Sequence, residues 1–236
     1  MTWSILVRDP ASGALGAAVA SKFFAVGALC IHVEGGVAAL ATQALVNPMY
    51  AVHAMPRLRA EGDPAVVVGD LVVPDPGGAF RQFHILDANG RVAQHTGAQC
   101  VGWAGMVRGE NISVAGNMLA GAAVVERTLA AYEAATGSMA ERLLAAMEAG
   151  EAAGGDKRGR QSAALKVSLR DPYPDLDIRA DDHPDPIAEL RRLHRVSLER
   201  YAIFRRFLAG SDNPYGTFDR TVIDAAIAAE GAAATN

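Results

Sequence analysis

The amino-acid sequence predicts an α+β fold: a four-layer αββα sandwich of two mainly antiparallel sheets, with a helix towards the C-terminal end. Three observations carry this prediction. Apolar runs of strand length are joined by turns of a few residues, too short for the crossover that a parallel pair needs. These runs come in groups that alternate with pairs of helical segments. Hydrophobic residues make up 50% of the chain and charged residues only 20%, a globular composition rich in small apolar side chains that suits sheets covered on both faces.

Trp3 to Val7 reads as a short strand, and the turn residues Asp9-Pro10-Ala11-Ser12-Gly13 lead into a second run, Ala14 to Ala20. A third run, Val26 to Val33, and a fourth, Val37 to Thr42, are joined by Glu34-Gly35-Gly36, which predicts a four-strand meander. Asn47-Pro48 and Asp63-Pro64 each supply a cap and a first-turn proline, so helices are expected over Met49 to Glu61 and from Pro64 to about Val72. Phe80 to Leu86 and Arg91 to His95 flank Asn89-Gly90, the strongest hairpin turn signal in the chain. A strand at Ile112 to Ala115 follows. Ala120 to Gly150 is rich in helix formers and is broken at Thr136-Gly137, where Ser138 and Glu141 have capping-box spacing. Ala163 to Leu169 and Leu176 to Arg179 return to strand character, and Asp185-Pro186 opens an amphipathic helix from Ile187 to about Leu208. No composition shift or repeat separates these elements. One domain is expected over residues 1–210, with 211–236 as a tail lacking a core pattern.

Twenty-two Lys and Arg against 26 Asp and Glu give a formal charge of −4, so no positive field is available to neutralise phosphates and a nucleic-acid partner is not expected. Cys30 and Cys100 are too few for a disulfide scaffold or a thiolate-rich zinc site, although they leave a single bridge open. MTWSILVRDP reaches Arg8 and Asp9 too early for a signal peptide, and no apolar run of about 18 residues occurs. A cytoplasmic protein without a membrane partner is the expectation.

Several constellations carry chemistry. Thr2 follows Met1, and a small penultimate residue permits removal of the initiator methionine. Thr2 would then hold a hydroxyl nucleophile and, in its own α-amine with pKa of about 8, a general base. Ser21-Lys22 ends the second strand of the first hairpin, which brings Lys22 back towards Thr2, where an ammonium lowers the pKa of a neighbouring group. Gln43, between the fourth strand and the first helix, is placed to face a developing oxyanion. Gly154 to Ser162 crowds glycines, Asp156, Lys157, Arg158, Arg160, Gln161 and Ser162 between a helix and a strand. Glycines allow close approach to a ligand and the guanidinium groups suit a carboxylate, while the Gly-Lys-Ser/Thr ending of a phosphate loop is absent. If that loop is solvated, Asp156→Asn should change stability by less than about 0.5 kcal/mol. Asn117, at an expected strand-to-helix junction, either caps the helix or binds substrate. Asp181-Asp182-His183-Pro184-Asp185 has hard-metal ligand types without zinc or calcium spacing, so no metal and no cofactor are expected. His84 and His95 read as structural.

Through Thr2 to Ile5, Ala18 to Val26 (AVASKFFAV), Ala41 to Tyr50 (ATQALVNPMY), Gln99 to Gly105, Gly116 to Gly121 (GNMLAG), Gly154 to Leu165 (GGDKRGRQSAAL) and Asp181 to Pro186, the sequence resembles the bacterial and archaeal family catalogued as domain of unknown function 1028. That family in turn resembles the N-terminal-nucleophile hydrolase superfamily, whose fold is the αββα sandwich already predicted. The resemblance puts Thr2 in the nucleophile slot, Ser21-Lys22 among the residues serving it, and Thr42-Gln43 near the oxyanion-forming turn.

The expected function is amide-bond hydrolysis of a small amide or peptide-like substrate. Thr2, Lys22, Gln43 and Asn117 would be catalytic, and Ser21, Asp156, Arg158, Gln161 and Ser162 would bind substrate. The alternative is a non-catalytic protein that holds a small anion on the same fold. The last helix has an apolar face through Leu190, Leu193, Leu198, Tyr201 and Phe204 and carries Val196, Ile203 and Phe207 off that face, more apolar surface than one core covers, which leads to the expectation of a homodimer.

Overall fold

The computed structural model describes residues 2–233. Two compact units divide between Leu190 and Arg191. The first contains two antiparallel sheets. The six-stranded sheet has the order β10-β9-β2-β1-β8-β7, built from β1 (Thr2–Arg8), β2 (Leu15–Ser21), β7 (Trp103–Gly109), β8 (Ile112–Leu119), β9 (Ser162–Ser168) and β10 (Leu176–Ala180). The four-stranded sheet has the order β3-β4-β5-β6, from β3 (Ile31–Glu34), β4 (Ala38–Ala44), β5 (Arg81–Asp87) and β6 (Val92–Thr96). Helices α2 (Met49–Arg59) and α3 (Pro64–Val72) cover the four-stranded sheet, and α4 (Ala123–Ala134) and α5 (Met139–Ala152) cover the six-stranded one. The expected αββα layering is present.

Period-two alternation decides what each layer holds, because successive strand side chains point to opposite faces. On β1, Trp3, Ile5 and Val7 alternate with Thr2, Ser4 and Leu6, and all six are buried. Leu6 joins Leu15, Ala17, Val19, Ile31, Ala39, Ala41 and Leu86 in an apolar cluster between the sheets. On the opposite face of the four-stranded sheet, Leu40, Phe83 and Ile85 pack with Tyr50, Leu58, Val67 and Val68 of α2 and α3. The layer between the sheets is therefore graded, apolar towards Leu6 and polar towards Ser4 and Thr2. At about 25 cal/mol per Å² of apolar surface, the apolar end supplies burial energy that the polar end must match with hydrogen bonds.

Four expectations change. The first four runs do not form one meander: β1 and β2 belong to one sheet, β3 and β4 to the other. The crossing is made at Val26–Leu29, expected as strand, which forms the short helix α1 behind Ala25 at φ 50°. A Cβ on Gly27 would lie 2.1 Å from the Ala164 Cβ, so this turn packs too closely on β9 for a larger residue. Second, β7 is a strand that the sequence pattern does not announce. Third, Asn117 sits inside β8 and α4 starts without a side-chain cap at Ala122. Fourth, the helix expected from Ile187 to Leu208 is two helices, α6 (Pro186–Ser197) and α7 (Arg200–Phe204). The Ser138–Glu141 capping box is formed as expected. In the second unit, the segment after Gly210 carries α8 (Arg220–Ala233), which packs with α7.

Candidate functional site

Strand register assembles the site. On β1, Thr2 stands opposite Ser21 of β2 on one side and Asn117 of β8 on the other, and Ser21 stands opposite Ser162 of β9. The Thr2 and Ser21 hydroxyl oxygens are 3.1 Å apart. Thr2, Ser21, Gln43 and Arg158 line one pocket of about 220 Å³, together with the apolar Phe23, Val26 and Leu29. Thr2 is buried but reaches this space from the end of the polar layer.

The glycine- and charge-rich loop folds beside the start of β1. Asp156 is not solvated as the loop composition suggested; its side chain is 2% exposed. Its carboxylate accepts from the backbone N–H of Lys22 at 2.7 Å and of Arg158 at 2.8 Å, and the Arg158 guanidinium donates to it at 3.1 Å. Asp156 thus fixes the guanidinium that lines the pocket. The Lys22 ammonium turns outward and donates to the Arg160 carbonyl at 3.0 Å. Ser162, fully buried, accepts from the Val26 N–H and donates to the Phe23 carbonyl, which shapes the pocket wall. Gln161 points elsewhere, donating to Asp182 at 3.2 Å. In the acidic run, Asp181 holds Arg179, and Asp185 pairs with Arg160 and accepts from the Ala188 N–H. Met1, whose removal the nucleophile role requires, lies outside the described residues.

Behind Thr2 lies a buried polar chain that sequence reasoning did not assemble. Its direction can be worked out from one end. Gln82 Nε2 faces the carbonyls of Gly105 and Gly116 at 3.2 and 2.9 Å, which only accept, so Gln82 Oε1 is left to receive Gln43 Nε2 at 2.7 Å and Asn117 Nδ2 at 3.1 Å. Gln43 Oε1 then accepts from the Ser4 hydroxyl at 2.7 Å. Ser4 has spent its only proton, so it must accept from His84 Nε2 at 2.8 Å. His84 thus carries a proton on Nε2. Complete burial pushes its pKa down to about 3, so the ring is neutral and Nδ1 accepts from Ser113 at 2.7 Å, while Ser113 accepts from Gln94 at 2.9 Å. In the sequence these residues stand only as polar positions inside apolar strands, Thr2 and Ser4 and Gln82 and His84 two apart, Ser113 and Asn117 four apart.

The chain also fixes what each amide has left to offer. Asn117 commits both amide protons, to the Thr2 carbonyl at 3.3 Å and to Gln82. Gln43 commits one, to Gln82, and keeps a second Nε2 proton beside the pocket. Asn117 thus holds Thr2 in place, whereas Gln43 keeps one amide proton uncommitted. Both cysteines are free thiols, and burial pushes the Cys30 thiol up to about 12.

Comparison with known proteins bears on this arrangement. A crystal structure of a Silicibacter pomeroyi protein, described by the same family model as this chain, superposes with a TM-score of 0.86 at 31% identity, covering 93% of this chain and 96% of that one. Anbu (ancestral beta-subunit) from Yersinia bercovieri aligns at a TM-score of 0.40 and 11% identity, over 88% of this chain and 98% of that one. No curated protein matches. The model of a family of unknown function, DUF1028, matches residues 2–190, the unit that holds both sheets, and the chain belongs to that family.

Proposed function

We propose that the chain is an amide-bond hydrolase of the N-terminal-nucleophile type, acting on a small amide or peptide-like substrate, with Thr2 as nucleophile after removal of Met1. One observation carries the reading: a hydroxyl at the start of the central strand opens on a pocket that also holds an amide donor and a guanidinium. The α-amine of Thr2 that removal of Met1 frees, ordinarily near pKa 8, takes the Oγ1 proton as the oxygen attacks the substrate carbonyl. The remaining Gln43 Nε2 proton stabilises the oxyanion, in a dry setting where such a donor is worth about 100-fold or more in rate. The C–N bond then breaks and the ammonium returns its proton to the leaving amine. Water, deprotonated by the same amine, hydrolyses the ester and restores Thr2.

The other residues act on geometry. Asn117 fixes Thr2 through its carbonyl, Asp156 fixes Arg158, and Arg158 faces an anionic group of the substrate. Lys22 and Ser162 secure the loop and the wall around the pocket. The reaction calls for no cofactor.

Intact-mass measurement of the protein from its native host tests the first step, with loss of Met1 expected. Thr2→Ala should then abolish hydrolysis of small amides and Thr2→Ser should retain it. Quantitative retention of Met1, or binding of carboxylated amides without turnover, would replace this reading with that of an anion-binding protein. For assembly, we infer a homodimer, supported by Val196, Leu198, Tyr201 and Leu208, all exposed in the single chain.

A further inference from the structure

A second pocket of about 250 Å³ adjoins the one that holds Thr2, lined by Ala44, Leu45, Phe80, Val101, Asn117 and Met118 among others. Ala44 and Met118 line both spaces, so the two halves meet at a ridge that these residues form. Both ridge residues are in the left-handed region, at φ 70° and 54°. Non-glycine residues held there cost about 1–3 kcal/mol each and persist where the surroundings impose them. Met118 is the extra residue of a bulge between β7 and β8, since Ala104 stands opposite Asn117 and Trp103 opposite Leu119. A bulge of this kind re-aims a side chain. Here it turns Met118 to the cleft while its neighbour Asn117 continues to hold Thr2.

The walls of the second half are tied in place. The Leu45 N–H donates to the Phe80 carbonyl at 3.2 Å and the Met118 N–H to the Val101 carbonyl at 3.1 Å. Arg81 donates to the Leu45 carbonyl while its Nε pairs with Asp75 at 3.1 Å, and Asp75 in turn accepts from the Tyr50 hydroxyl at 2.7 Å. Leu45, Phe80 and Val101 nonetheless expose their side chains. A preformed hollow with apolar walls, next to a nucleophile and separated from it by small or unbranched side chains, fits one kind of occupant.

We propose that this second half is a subsite for an apolar side group of the substrate, a phenyl or branched aliphatic group joined through one or two atoms to the amide that lies against Thr2. The inference rests on the hydrolase reading for the position of the amide, and it narrows the substrate class to amides with an apolar substituent.

Binding to the Thr2→Ala protein tests it without turnover, using N-acetylglycinamide and N-phenylacetylglycinamide as probes in calorimetry. The phenylacetyl probe should bind about tenfold or more tightly than the acetyl probe. Val101→Asp, at a side chain 64% exposed and so cheap to replace, should collapse that ratio towards one, as should Leu45→Asp; Val73→Asp, 85% exposed at the end of α3, should leave it intact. Equal affinities, binding of neither probe, or a ratio insensitive to Val101 and Leu45 would overturn the subsite. A clear preference in Thr2→Ala, together with no hydrolysis of either probe by protein lacking Met1, would keep the subsite and remove the hydrolase reading. Hydrolysis of both at equal kcat/KM would do the reverse.

Discussion

The Asp156 carboxylate sits 2.7 Å from the backbone nitrogen of Lys22, a residue 134 positions earlier in the chain. This bond closes the glycine-rich loop onto the end of β2, next to Ser21 and Thr2. Replacing Asp156 with Asn turns one of its two acceptor oxygens into a donor facing either the Lys22 N–H or the Arg158 guanidinium. The expected cost is about 1.5–3 kcal/mol, the range for a buried hydrogen bond to a charged group, together with weaker binding of carboxylated ligands. Urea denaturation and calorimetry read the two effects. A stability change under 0.5 kcal/mol would mean the loop is solvated after all.

His84 predicts a pH signature. Its folded pKa, depressed to about 3, lies below the ordinary value near 6.5. Between those values the unfolded chain binds a proton that the folded protein refuses, so the contribution is complete above pH 6.5 and is lost as pH falls towards 3. Relative to His84→Asn, the unfolding free energy of the parent protein should fall by about 1.4 kcal/mol for each pH unit in that window. Parallel curves for the two proteins would show that His84 is protonated in the fold.

The thiols give a third test. Burial holds the Cys30 thiol near a pKa of about 12 and raises that of Cys100, whose sulfur donates to the Arg81 carbonyl at 3.4 Å. Thiolate is the reactive form. At pH 8 an aromatic disulfide reagent should label Cys100 slowly and Cys30 only on unfolding, and N-phenylacetylglycinamide should slow labelling of Cys100, which lines the second pocket. Rapid labelling of both thiols in the native protein would contradict the burial of Cys30.

Assembly is read by light scattering. The dimer inferred from the exposed apolar residues of the Arg191–Asn236 unit should scatter at about twice the 24.6 kDa chain mass at micromolar concentration. Leu198→Glu, at a residue 56% exposed, should return it to the monomer value. A parent protein that already scatters as a monomer would exclude the dimer.

Strands bounded by strong turns were legible from the sequence. Asp9 to Gly13 and Asn89-Gly90 announce their hairpins because those residues accept turn conformations that others resist. The missed strand β7 has no such advantage: Ala104, Gly105 and Gly109 dilute its β-propensity, and pairing with β8 decides its state. The run VGALCIHV reads as strand by composition, yet close contact between Gly27 and Ala164 bends its first half into a helical turn. At the site, Thr2, Ser21, Gln43 and Arg158 were visible as polar residues at element ends. Gln82, His84 and Ser113 were not, because each lies within a strand and acquires meaning only when two sheets face each other.

The hydrogen-bond chain from Gln82 to Gln94 runs in a single sense, and from Gln43 onward each link crosses from one sheet to the other. Greasy layers can slide by fractions of a residue with little loss, whereas a sequence of donors and acceptors fits at one offset only. Thr2 and Ser21 belong to the six-stranded sheet and Gln43 and Ala44 to the four-stranded one, so the width of the pocket between them is set by that offset. The two slabs therefore behave as a jaw with a locked hinge. A different ligand range would therefore be engineered through the side chains that line the pocket, Phe23, Leu29 and Arg158, rather than through the spacing of the sheets.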